Sequence, residues 1–283
     1  MKEVNKMITW DVIWSTVMIV LNVISFVLAI MIFSNSIKWS NEEPKKARYF
    51  LLLRIMGMIF IAVALYRSVF VSSYPNRLAW YNSILNSPFI IRCLATFAEI
   101  SFIGMIAIIL KEVCRVMPFN SDKRIYHLLE QMPMLAVGCI VLAQFLAFAG
   151  LITQYLILFA IEEALWGLAF LSITPLVLLK LKQAKKYNID KSIKIFLTVI
   201  AIWCIGYSIF QWGIALPFIH FADLALDVGR VVPVDALQQT IFNFTATRDF
   251  KTWGGLGFFI WHSGYFSLCV WMSLLFMAAP REK

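Results

Sequence analysis

Long apolar runs alternate along the chain with short polar breaks, and seven of these runs are long enough to cross a membrane. They cover residues 12–34, 50–72, 88–112, 133–151, 154–180, 193–221 and 257–279. A helix rises 1.5 Å per residue, so a crossing needs about 20 mostly apolar residues. The breaks carry turn formers: Asn41-Glu-Glu-Pro44, Ser73-Tyr-Pro-Asn76, Pro118 to Lys123, Gly150 to Thr153, and Asn188 to Lys191. Runs four and five are nearly continuous. Together they exceed one crossing, so Gly150 and Thr153 predict a tight hairpin there. The pattern predicts an all-α polytopic membrane protein, a seven-transmembrane-helix bundle forming a single transmembrane domain over 1–283. It shows no internal repeat or low-complexity tract.

Residues 222–256 are the one sizeable segment between runs. Within them, PVDALQQTIFNF predicts a short amphipathic helix, with Pro233 in its first turn and Leu237, Ile241 and Phe244 at helical spacing. Such a helix lies on the membrane surface or covers a cavity mouth, and surface packing is the commoner behaviour.

Composition narrows the class. The chain is 61% hydrophobic and only 14% charged, whereas about a quarter of the residues in a soluble domain are charged. The net charge of +9 does not indicate nucleic acid as a partner, because the basic residues sit in short loops between apolar runs. Sixteen Lys and Arg flank one side of the bundle, six flank the other, and three lie within spans. Lys180, Lys182, Lys185 and Lys186 are counted in the loop after run five. This asymmetry predicts the N-terminus outside and the C-terminus cytoplasmic. The sequon Asn243-Phe-Thr245 falls on the same outer side. The first run has no small-residue cleavage site and reads as a retained span. The five cysteines lie in or beside apolar runs without metal-like spacing, and so read as free thiols.

The charges inside the spans carry the candidate chemistry. Arg92, Thr96 and Glu99 recur at i, i+4 and i+7 and share one helical stripe. Glu99 lies about 16 Å deep, and Glu162 and Glu163 about 12–14 Å deep. Ionised groups at that depth cost several kcal/mol unless they are paired or face a polar interior. Arg67 on span two can reach the same level, which predicts an Arg–Glu–Arg cluster holding Glu99 ionised. Glu162 and Glu163 are about 100° apart on the helix, so one of them, here assigned as Glu163, turns inward. Tyr207 and Gln211 on span six, and His262 and Tyr265 on span seven, recur at helical spacing and fit the same cavity. An aromatic stripe is more often plain packing than a ligand box, and an intramembrane ion pair can be a purely architectural clamp.

These residues bear on several specific chemistries. His220, Asp223 and His262 are a weak metal set, since known membrane zinc hydrolases with seven spans use three histidines on two helices. Span seven has no lysine for a retinal Schiff base, and span three ends KEVCRV rather than in an acidic-Arg-aromatic triplet. No nucleophile elbow, phosphate-cradling motif or other cofactor motif appears. Three readings remain. One is a pocket open to the outer side that binds or converts an apolar small molecule with one polar group, with Glu99 and Glu163 as candidate acids and Arg67, Arg92, Thr96 and Glu162 as binding groups. Another is a proton- or ion-coupled transporter using Glu99 and a span-five glutamate. The third is a structural or assembly subunit. The lipid bilayer is the one partner the sequence requires.

Overall fold

The computed structural model describes residues 10–37, 44–119, 123–187, 189–221, 224–229 and 231–278. Span one is Trp10–Ile37, span two Pro44–Val69, span three Pro88–Val116, span four Arg124–Thr153 and span five Leu156–Lys186. Span six is α-helical over Lys191–Phe210 and continues as a π-helix over Gln211–His220. Span seven joins Leu256–Ser263, a π-helical stretch Gly264–Cys269 and Val270–Met277. Among the described residues, seven helices are long and apolar enough to cross a membrane. The chain is an all-α membrane bundle. The face at which span one begins is called the N-terminal face below, and the opposite one the C-terminal face.

Several helices outrun their apolar stretches. Span four begins at Arg124 rather than 133, and span five continues to Lys186. Backbone hydrogen bonding continues past the hydrocarbon wherever the residues are good helix formers, and hydropathy registers only the apolar part. Lys180, expected in a loop, is therefore helical and has no exposed surface. Its Nζ donates to the Met117 carbonyl at 2.5 Å, lies 3.6 Å from a Glu130 carboxylate oxygen and sits 3.5 Å from the Phe119 ring centre.

The hairpin between spans four and five also turns later than expected. Gly150 is still helical, and the reversal falls at Gln154, whose φ of 60° ends span four in the left-handed region. Gly150 serves packing instead: a Cβ there would lie 3.1 Å from the Phe159 ring. The loops cap this hairpin with opposite charges. Arg77 donates to the Leu151 and Ile152 carbonyls, each at 3.4 Å, at the C-terminal end of span four. Asp227 accepts from the Leu156 and Ile157 amides at 2.8 and 2.9 Å, at the start of span five. Each charge meets the complementary end of a helix dipole.

The N-terminal face carries a small three-stranded sheet. Strands β1 (Ser72–Ser73) and β2 (Leu78–Ala79) pair antiparallel, and β3 (Thr245–Ala246) joins β2 in parallel. Trp80 and Trp253 are buried beneath this sheet. The amphipathic segment forms a helix only over Ala236–Phe242. Its buried face is Ala236 and Thr240, whereas Leu237 is exposed. This corrects the expected apolar stripe. Thr240 receives a hydrogen bond from Arg77 at 3.1 Å, and the Ile241 carbonyl receives one from Ser87 at 2.8 Å. Polar contacts join the helix to the ends of spans three and four, Thr240 also donating to the Leu151 carbonyl at 3.3 Å.

Successive spans pack from one through six, and span seven packs against one, two and three. Spans six and seven share only scattered contacts. Phe210 stacks on Trp261 near the N-terminal face, with ring centres 6.0 Å apart, and Phe196 meets Phe276 near the other face at 6.2 Å.

Candidate functional site

Span three is the inward-facing pillar of the bundle, and Arg92 on it is almost wholly buried, with 1% of its surface exposed. Arg92 Nη2 donates to Glu99 Oε2 at 2.8 Å, and Nη1 donates to Glu162 Oε1 at 3.2 Å. The same Nη2 bonds the Gln144 side-chain oxygen. The Gln144 amide nitrogen then donates to Glu99 Oε2 at 3.1 Å and to the Ile140 carbonyl at 3.2 Å. One guanidinium thus joins spans three, four and five through two carboxylates and an amide. Charge-assisted bonds of this kind are the strong class, and the low dielectric around them raises the cost of breaking any one.

The structure places some expected residues elsewhere. Thr96 shares the stripe, yet its hydroxyl donates back to the Arg92 carbonyl at 3.0 Å and stays on its own helix. The inward ion pair belongs to Glu162, not Glu163. Glu163 is half-buried and accepts from the Tyr207 hydroxyl on span six at 3.5 Å. Arg67 forms no ion pair with Glu99. Its guanidinium carbon lies over aromatic rings instead, 4.5 Å from Tyr265, 5.6 Å from Tyr74 and 5.6 Å from Phe266. Arg67 occupies the last turn of span two, where the helix's free carbonyl end favours a cation.

Two residues in the site were absent from the sequence-based set. Gln144 is the one polar side chain in the apolar stretch 133–151 of span four, and that isolation was the available signal. Tyr74 comes from the β1–β2 turn, and its ring stands 5.3 Å from Arg92 as well as 5.6 Å from Arg67. Burial raises the Tyr74 hydroxyl above its ordinary value, outweighing the pull of Arg67 and Arg92, so it remains a neutral O–H donor.

Around Arg67 three buried polar atoms have no hydrogen-bond partner: Arg67 Nη1 and the Tyr74 and Tyr265 hydroxyls. On span six, Gln211 has no exposed surface; its side chain lies against the Glu163 carboxylate, and its amide oxygen has no donor. Gly167 on span five makes room for it, since a Cβ there would lie 3.0 Å from the Gln211 side chain and 2.7 Å from the Trp212 indole nitrogen. Gln211 opens one π-helical stretch, and Tyr265 lies in the other. Such stretches are frequent at functional sites. A buried polar group left unpaired costs about 1–3 kcal/mol, so a convergence of them marks a place where something polar is accommodated.

His262 packs among Trp14, Phe258 and Phe266, with the Phe258 ring centre 3.9 Å away. His220 ends the π-helical part of span six and is half-buried, and Asp223 lies outside the described residues. Among the described residues no three His, Cys, Asp or Glu side chains converge on a point where a metal would sit. The five cysteines are free thiols. Two surface recesses, of about 210 and 280 Å³, lie at opposite ends of the bundle, beside Phe119 and Lys182 and beside Arg77 and Gln154. Neither adjoins the charged cluster. Searches against protein-family models, curated proteins and solved structures find no match to this chain.

Proposed function

We propose that this chain binds an apolar small molecule bearing one polar group, inside the bundle, between the Arg67–Tyr265 side and the Glu163–Gln211 side. The observation that carries this reading is the set of unbonded polar atoms contributed by spans two, six and seven and by the β1–β2 turn. Hydrocarbon cannot satisfy them, and a ligand's polar group can. Spans six and seven share only scattered contacts, unlike the other sequence neighbours. Entry from the lipid between those two spans therefore suits the geometry better than entry from the aqueous side. If the ligand is converted as well as bound, Glu163 is the carboxyl available as an acid, because Glu99 is held by Arg92 and Gln144. By the distribution of Lys and Arg, the N-terminal face is the outer one. Exposed Asn243 lies on that face, so a glycosylation-competent host would modify it.

A proton- or ion-coupled transporter is the second reading. Glu99, Glu162 and Glu163 stand within one another's fields, as a relay requires. pH-driven flux across proteoliposomes would favour it. The binding reading is tested by native mass spectrometry of the protein released from lipid nanodiscs. The expected result is a retained non-lipid adduct in the wild type that Arg67→Met with Tyr265→Phe removes. Identical spectra for the two proteins would overturn it.

A further inference from the structure

At the C-terminal face, away from the charged cluster, a recess of about 210 Å³ opens beside the end of span five. Lys182 and Lys186 line it, one turn apart, with Leu179, Gln183 and the Phe119 and Tyr126 rings, and none of the described residues lining it is acidic. Neither lysine forms an ion pair with a described residue, and Lys186 Nζ has the Tyr187 ring 5.3 Å away. The carboxylate of nearby Glu130 is taken by Lys180 instead, at 3.6 Å. Like charges four residues apart on a helix repel, and an anion between them relieves this.

A helix C-terminus favours basic residues by itself, but it does not build a wall opposite them. Here the wall is fastened. Lys180, with no exposed surface, donates to the Met117 carbonyl and lies 3.5 Å from the Phe119 ring centre. The Gln183 amide nitrogen donates to the Pro118 carbonyl at 3.0 Å. Phe119 in turn stacks on Tyr126 of span four, with ring centres 4.4 Å apart and planes 18° from parallel. The recess is thus preformed, which lowers the ordering cost of filling it. The Gln183 amide oxygen is left without a donor.

Depth points to the occupant. Leu171, Leu178 and Lys182 recur at i, i+7 and i+11, so exposed leucines lead along one stripe to the first lysine. Lys182 lies about 4.5 Å and Lys186 about 10.5 Å beyond Leu179 along the helix. That interval crosses the headgroup layer, about 5–8 Å thick on each side of the hydrocarbon. We infer that the recess holds the headgroup of a net-anionic phospholipid, with its phosphodiester between Lys182 and Lys186 and its chains along the exposed leucines. A headgroup O–H or N–H, as glycerol, inositol or serine supplies, donates to the Gln183 oxygen. A choline head offers no such donor and cancels the phosphate charge with its own cation. The inference goes beyond the pocket reading and does not depend on it.

The test is native mass spectrometry of the full chain in detergent, titrated with phosphatidylglycerol and phosphatidylcholine of identical chains. The first phosphatidylglycerol should bind about tenfold tighter than phosphatidylcholine, the gain expected of two lysines at the headgroup level. Lys182→Gln with Lys186→Gln should bring the two lipids within about twofold of each other. Lys111→Gln with Lys191→Gln removes the same charge elsewhere on this face and should leave the preference intact. Melting curves establish that both double variants are folded. Equal affinity for the two lipids in the wild type, or a preference that survives loss of Lys182 and Lys186, would overturn the inference. So would a preference lost equally in both double variants, which would assign it to the charge of the whole face. Glycerol 3-phosphate in large excess should not displace the lipid; displacement would make the recess a site for a free phosphate ester instead.

Discussion

Arg92 and Arg67 are two buried guanidinium groups facing the same tyrosine ring, at 5.3 and 5.6 Å, from neighbouring helices. Arg92 touches two carboxylates and an amide oxygen. Arg67 has no side-chain acceptor among the described residues: it touches ring faces and leaves Nη1 buried without a partner, whereas Arg92, with three acceptors, leaves only Nε so. The difference lies in what each group still needs. Arg92 is compensated within the chain, and its three partners come from three helices, which is how a clamp is built. Arg67 is held but not saturated, which is how a binding site is built. A buried charge is thus no evidence of function in itself; the unfilled part of its coordination is. Lys180 falls on the Arg92 side of this division, filled by a carbonyl, a carboxylate and a ring at the C-terminal face.

Breaking the clamp should give the largest effect. Arg92→Met leaves Glu99 and Glu162 buried without their counter-charge, and removing one partner of a buried pair costs about 3–5 kcal/mol. The loss should appear as a large drop in melting temperature in nanodiscs, or as failure to accumulate. A fully apolar replacement sharpens the point. Combining Arg92→Met with Glu99→Leu, Glu162→Leu and Gln144→Leu removes every member at once, and the melting temperature should return close to the wild-type value. A combined variant as unstable as Arg92→Met alone would show that the cluster does more than clamp.

Gln144→Leu should have an intermediate effect. It deprives Arg92 and Glu99 of one hydrogen bond each while leaving their ion pair at 2.8 Å. The expected cost is about 1–3 kcal/mol, read as a melting shift smaller than that of Arg92→Met, with native-mass adducts unchanged. Loss of the adduct without loss of stability would move Gln144 from the clamp to the site.

Physical reasons divide what was legible in the sequence from what was not. The seven spans were readable because hydrocarbon imposes a length and a composition on each. The Arg92–Glu99 pair was readable because i, i+7 on one helix fixes its own geometry. Interhelical rotation has no such signature. Adjacent glutamates on span five had to divide between inward and sideways, and only the packing of spans three and six against five sends Glu162 to Arg92 and Glu163 to Tyr207. Gln144 carries no charge, so a search for intramembrane charges passed over it. Tyr74 enters the site from a turn whose position depends on β2 and β3. Lys180 looked like a loop charge because its burial depends on Phe119 and Met117, which follow a different span.

The smallest stability effect is expected at Arg67, and it separates the two arginines most directly. Arg67→Met removes cation–π contacts with Tyr265, Tyr74 and Phe266, a loss of about 0.5–2 kcal/mol at a desolvated site. It also removes a buried donor with no partner, which offsets part of that loss. The net change in melting temperature should be slight beside that of Arg92→Met, although both substitutions delete a buried guanidinium and insert the same side chain. Tyr74 and Tyr265 would then face the interior without their cation, and retention of the polar adduct should fall even though the fold is intact. Equal destabilisation by the two substitutions would mean that Arg67 is as fully compensated as Arg92, and the contrast between a filled and an unfilled guanidinium would not hold.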